Sequence, residues 1–197
     1  MKKLFLIAVA MLATLSVSAQ SAPGTVSLKP MVGMTLANFR GSDIEDTKMK
    51  LGLVAGGEAI FQLSDMFAVS GGLLYSMQGC KYDGHHDEKM EMEYLNVPLL
   101  ANIYIVKGLA LKAGVQLGLL TKAKVSASEG GVSGDLDIKD HCKSMDLSIP
   151  VGIGYEINNS FVIDARYNFG LSKIYKESDA KVYNSVFMVT LGYKFDM

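Results

Sequence analysis

The chain of 197 residues has no tryptophan, four prolines, three histidines and two cysteines. Beyond residue 20 it has no apolar run near the ~20 residues that a membrane-spanning helix needs, so a helical membrane protein is not expected. Its 19 basic and 20 acidic side chains leave a net charge of −1, and nothing points to a nucleic-acid partner. There is no G-x-S-x-G elbow and no other recognisable catalytic spacing; His141 beside Ser144 comes nearest to one. An enzyme is therefore not expected, and a rim-located lipid hydrolase or protease is the least favoured function. What the chain has in quantity is apolar residues, 49% of the total, and glycine, at 20 positions.

Lys2 and Lys3 precede an apolar stretch from Leu4 to Leu15, and Val17-Ser18-Ala19 sets small residues before Gln20. Residues 1–19 read as a cleaved signal peptide and residues 20–197 as one domain. No cysteine follows the cleavage point, so a lipid anchor is not expected. An exported, apolar, glycine-rich chain without a helical span is either a soluble β domain or a membrane barrel.

Side-chain alternation decides between them. From Phe161 to Leu171 the odd positions are Phe, Ile, Ala, Tyr, Phe and Leu, while the even ones include Asp164, Arg166 and Asn168. This period of two is a strand with one apolar and one polar face. The same contrast runs through 145–157, 109–119 and 187–195, and more noisily through about 27–39, 49–63, 67–80 and 91–106. The total is eight runs. The connections alternate between tight turns at 63–66, 106–108 and 157–160 and longer polar loops at about 40–48, 81–90, 124–141 and 176–182. Short periplasmic turns and long outer loops are the habit of outer-membrane barrels.

A lipocalin-like soluble barrel would put the bulky apolar face inside. Here the polar face carries most of the glycines, among them Gly72, Gly114, Gly118, Gly152, Gly154 and Gly192, and small residues belong where opposing walls crowd together. The expected fold is all-β: an eight-stranded antiparallel up-and-down transmembrane β-barrel, preceded by a cleaved signal peptide, in the outer membrane of a Gram-negative cell. Eight strands leave a lumen filled by side chains.

Three segments carry a family resemblance. Val32-Gly33-Met34-Thr35-Leu36-Ala37-Asn38-Phe39, Gly72-Leu73-Leu74-Tyr75-Ser76-Met77-Gln78-Gly79 and, most specifically, Tyr94-Leu95-Asn96-Val97-Pro98-Leu99-Leu100 resemble strands of the small outer-membrane barrels of Bacteroidota-type bacteria, PorT-like and OmpA-like. Leu191-Gly192-Tyr193-Lys194-Phe195 is similar to the terminal strand read by the barrel-insertion machinery, although Asp196 and Met197 follow it. Met31 and Met34 depart from a strand that more often carries Gly, Lys and Asn. The resemblance implies fold and location and carries no single activity.

Candidate sites follow from the faces. Lys29, Lys112, Arg166 and Lys194 face inward with Glu58, Asp146, Glu156 and Asp164, four of each sign and mostly toward the periplasmic end. Buried charges persist only when paired, so a salt-bridged plug is expected, with a gated ion or small-solute path as the functional alternative. Cys80 and Cys142 fall at the outer rim and are read either as a disulfide between two outer loops or as two surface thiols. His85, His86 and His141 lie in the same loops and are weak zinc or copper candidates, because their spacing fits no known pattern. The acidic, glycine-rich 126–138 stretch reads as a flexible loop. No cofactor is expected. The expected partners are outer-membrane lipid, the insertion machinery and an envelope or surface protein met through the outer loops, with the barrel itself a monomer. The function read from all this is envelope-structural or surface-interacting, with a secretion accessory or a narrow solute channel as alternatives.

Overall fold

The computed structural model describes residues 21–42, 47–82, 89–129, 132–158, 160–176 and 180–197. The expected signal peptide lies outside them. Eight long strands form the barrel: β1 (Val26–Gly41), β2 (Thr47–Gln62), β3 (Phe67–Tyr82), β4 (Lys89–Val106), β5 (Leu109–Glu129), β7 (Met145–Ile157), β8 (Phe161–Lys173) and β9 (Val182–Tyr193). A short β6 (Val132–Asp137) pairs with the far end of β5, and β10 (Phe195–Asp196) pairs with the start of β1. Every strand is antiparallel to its neighbours, and β1 pairs with both β2 and β9, which closes the sheet on itself. The register of that seam runs from Met31 opposite Gly192 to Gly41 opposite Val182.

The short turns are where the residue chemistry placed them. Lys107-Gly108 reverses β4 into β5 with Gly108 at φ 79°, and β7 leaves through Asn158 at φ 51°. Glycine adopts that left-handed backbone freely and asparagine tolerates it.

The two faces of each strand meet different solvents. Val32, Leu51, Leu99, Ile153 and Leu191 point outward and are half or more exposed. A continuous belt of such residues is out of place in water and is the natural surface toward lipid tails. Inside, side chains fill the lumen in layers that each strand repeats. Along β1 the inward residues are Ser27, Lys29, Met31, Thr35, Ala37 and Phe39, and along β2 in reverse they are Gln62, Ile60, Glu58, Val54 and Lys50. From the periplasmic end, Ile60, Ala68, Tyr104 and Ala110 form a small apolar floor. A charged layer lies above it, followed by Met31, Val54, Leu74 and Met188, then a polar layer with Ser76, Asn96, Gln116 and Asn168, and finally an apolar cap.

Toward the outer end the polarity of the faces inverts without any slip in the alternation of β4. Leu95, Val97 and Leu99 face lipid, whereas Lys89, Glu91 and Glu93 on the same face are charged; inward, Met90, Met92 and Tyr94 are fully buried. The wall therefore leaves the lipid between Leu95 and Glu93. β4 and β5 run to 18 and 21 residues, well beyond the ~9–11 that cross a bilayer, so their ends stand outside it.

Leu99, 60% exposed on the outward face, tests this assignment. Leu99→Arg should lower the unfolding free energy in lipid vesicles by about 2–4 kcal/mol. A loss below about 1 kcal/mol would mean that this face does not meet the bilayer interior.

Candidate functional site in the lumen and at the outer mouth

All of the expected lumen charges are buried, but they do not form one balanced cluster. Lys29 and Glu58 are cross-strand partners on β1 and β2, and the Lys29 ammonium lies 2.8 Å from Glu58 and 2.6 Å from Asp164 across the lumen. Arg166 grips Glu58 through both terminal nitrogens, one of them at 2.9 Å, and approaches Asp164 at 3.3 Å. Lys112 pairs with the other oxygen of Asp164. Three cations thus share two carboxylates. Nearer the periplasm Lys194 pairs with Glu156 and donates to Ser21 at 3.1 Å. Asp146 stands apart in the outer half of the lumen and makes no ion pair among the described residues.

Glycines make this crowding feasible. A Cβ on Gly154 would lie 2.6 Å from the Lys112 Cε, and one on Gly192 would lie 2.9 Å from the Lys29 Cγ. The long cations lie across these bare backbone positions to reach Asp164. A few polar atoms are left over: Arg166 Nε, Thr190 Oγ1 and both amide atoms of Asn168 have no hydrogen-bond partner.

The outer mouth is closed by an apolar cluster of Phe39, Cys80, Met90, Met92, Tyr94, Leu120, Ala123, Cys142, Ile174 and Val182. A single 3₁₀ turn at Lys139–His141 brings the chain back across the opening. It is tied down by Ile138 N–H to the Ala123 carbonyl at 3.0 Å, Lys143 N–H to Ile174 at 2.7 Å and Lys176 N–H to His141 at 3.1 Å. The cysteines are not surface thiols: both are fully buried in the one cluster, and no bond joins them. Burial pushes the Cys142 thiol up to about 11. It is therefore protonated and a poor nucleophile at neutral pH.

His141 and Ser144 are exposed on this strap with no assembled catalytic group beside them among the described residues, and His85 and His86 lie outside those residues. Among the described residues no three His, Cys, Asp or Glu side chains gather as a metal site.

Part of the stretch read as a flexible loop is instead a hairpin. Residues 124–129 of β5 pair with all of β6, from Lys124 opposite Asp137 to Glu129 opposite Val132. Its outward face is laced by opposite charges: Lys124 lies 2.7 Å from Asp135 and 3.3 Å from Glu91, and Ser126 donates to Asp135 at 2.7 Å. The Lys124 ammonium and the Ser126 hydroxyl hold the Asp135 carboxyl below the usual carboxylate range. This support is present at neutral pH and is lost as acidification protonates Asp135. β6 pairs only with β5, so its other edge is open among the described residues, and Leu136 on it is 67% exposed.

Residues 18–176 match the model of the family described as outer membrane protein beta-barrel domain. The chain belongs to that family of outer-membrane barrels. It resides in the Gram-negative outer membrane, the location that family and fold share. Among solved structures it is similar to Ail, the attachment invasion locus protein of Yersinia pestis. In complex with the heparin analogue sucrose octasulfate, Ail is 18% identical with a TM-score of 0.54, covering 87% of this chain and 99% of Ail. A second Ail structure gives 18% and 0.50, covering 88% and 99%. Among curated proteins no sequence matches it. Family and fold agree with the closed barrel described above. The match ends before β9, the strand that closes it.

Two variants probe the lumen and the cap. Arg166→Met removes the bidentate partner of Glu58 and should cost about 3–5 kcal/mol in denaturant unfolding; an unchanged midpoint would mean that Glu58 is adequately held by Lys29 alone. In the folded barrel both thiols should react with a maleimide orders of magnitude more slowly than after unfolding, and equal rates would contradict the buried cap.

Proposed function

We propose that this protein is a non-enzymatic, monomeric barrel that conducts no solute and presents its outer β4–β5–β6 sheet to an extended segment of an envelope or surface protein. The observation that carries this reading is the edge of β6 left unpaired among the described residues, held clear of the membrane by two strands longer than the bilayer requires. An unpaired edge offers a row of N–H and C=O groups that another strand can complete, with side-chain contacts supplying selectivity. Asp135 and Asp137 beside Leu136 place charge on that edge, which discourages self-pairing while leaving it available to a complementary strand.

A filled lumen supports the non-conducting half of the reading. A charged layer and an apolar cap both lie across the axis, so a solute would have to displace ion pairs and then unpack the mouth. Ail, whose fold this chain shares, is an attachment protein by name and is seen with a heparin analogue, which supports a surface role over a transport one.

The test is capture from intact outer membranes with wild type and Leu136→Lys, alongside planar-bilayer recordings of wild type and Arg166→Met. Wild type should retain a partner that the edge variant loses, and neither barrel should pass discrete current. Equal capture by both proteins would remove the edge from the reading. Clear single-channel steps would replace it with the narrow channel, and secretion components in the captured material would favour the accessory role that the PorT-like resemblance implies.

A further inference from the structure

On the side of the barrel away from β4, the outward face leaves the lipid through cations. Above Leu36 on β1 the outward positions are Asn38 and Arg40, and above Leu171 on β8 comes Lys173. Above Phe187 on β9 they are Ser185, Tyr183 and, just outside the strand, Lys181. Among the described residues no carboxylate stands on the outward faces of these three strands. On β4 and β5, by contrast, Glu91 and Glu93 meet Lys124 and Lys122 at 3.3 and 3.7 Å.

Strand pairing gathers these cations around one tyrosine. Tyr183 is the direct partner of Arg40 on one side and of Lys173 on the other, so the two are separated by two strand spacings, roughly 10 Å between backbones. Arg40 does not stay over its own strand. Its guanidinium lies over the Tyr183 ring, 5.6 Å from the centroid, and donates to the Gly170 carbonyl of β8 at 2.7 Å. That carbonyl belongs to the stretch where the β8–β9 register shifts, between Phe169 and Lys173. The arginine is thus laid across β9 toward the strand that carries Lys173. Lys181 is exposed two residues from Tyr183, on the same face by the period of the strand.

We propose that this patch binds the phosphate headgroup of an outer-leaflet membrane lipid, gripped by Arg40 and flanked by Lys173 and Lys181. Its place on the wall selects a lipid over a dissolved anion. The cations stand just above the exposed Leu171 and Phe187, where acyl chains give way to headgroups, and they face away from the mouth. A tyrosine at that level has its ring in the apolar boundary and its hydroxyl toward water. The guanidinium fork matches the oxygens of a phosphate, and a lysine adds a mobile point charge beside it. Nothing in this site draws on the edge of β6, which lies on another part of the barrel.

The test titrates the folded, isotope-labelled barrel in dodecyl maltoside micelles with dimyristoyl phosphatidic acid, and separately with dimyristoyl phosphatidylcholine and with inorganic phosphate, following backbone amide signals. Phosphatidic acid should shift the signals of Arg40, Lys173 and Tyr183 saturably, and neither of the other two should do so at the same concentrations. Arg40→Gln combined with Lys173→Gln should raise the half-saturating lipid fraction on the order of 25-fold, about fivefold for each charge removed. Lys107→Gln, which takes a cation from a periplasmic turn, should leave it unchanged. Shifts that do not saturate would overturn the proposal. So would equal half-saturation in the double variant and wild type, which would mean that the cluster is neutralised within the protein. An equal response to phosphatidylcholine would reduce the effect to the acyl chains, and an equal response to inorganic phosphate would replace the lipid with a dissolved anion; either would overturn it.

Discussion

Within lipid every backbone N–H and C=O must find its partner in the protein, and the pairing of β1 with β9 is what allows this chain to meet that demand. The family match stops at residue 176, short of β9, yet without β9 both β1 and β8 would present bare edges to the hydrocarbon. Closure then dictates the rest. An eight-stranded barrel has an interior just wide enough for side chains, so whatever faces inward must pack against the opposite wall. The layers of charge, methionine, amide and apolar cap are eight strands solving that packing problem at successive heights.

The charged layer is better understood as a constraint on register than as a source of stability. Replacing a buried ion network with well-packed apolar groups is often neutral or favourable, so its presence is weak evidence of a net gain. Its effect on alternatives is stronger. A slip of one residue in β8 would turn Asp164 and Arg166 toward lipid, at a cost of several kcal/mol for the arginine alone. A slip of two would keep the faces but carry Arg166 away from Glu58 and Lys29 away from Asp164. The bare positions at Gly154 and Gly192 sharpen this selection, because the long side chains can cross the wall only where the glycines stand.

Much of this was legible in the sequence, and the boundary of legibility is physical. The period-two contrast of 145–157 and 161–171 placed β7 and β8 almost to the residue, since lipid outside and a polar lumen inside separate the two faces cleanly. The turn at Lys107-Gly108 was equally plain. The inward charges were identified as buried, but not their grouping, because which carboxylate a lysine reaches depends on positions two strands away. The 124–141 stretch was misread as a loop. Its strand β6 is rich in Ser, Gly and Asp and exposed from Gly134 to Asp137, and a strand in water on both faces has no apolar alternation to announce it. The cysteines stand at the outer rim as expected, but their burial was not legible for a related reason: the cap is made by residues distant in sequence that meet only when the strap folds over the mouth.

The sequence also carries a signal for the outer half. The run Lys89-Met90-Glu91-Met92-Glu93-Tyr94-Leu95 alternates throughout, yet its polar positions fall on the face that is apolar from Leu95 onward. A strand in one environment keeps its polar residues on one face. An exchange of faces with the alternation unbroken therefore marks a change of solvent rather than a break in the strand, from lipid outside a polar lumen to water outside an apolar cap. The same exchange occurs on β5, where Leu117 and Leu119 face lipid and Lys122 and Lys124 face water after one bulged residue opposite β4. Because both strands continue past that level, the sheet above it is built on the rigid wall rather than on loops. A surface held this way keeps its edge, unpaired among the described residues, at a set height and orientation over the membrane, as the proposed recognition by strand addition demands.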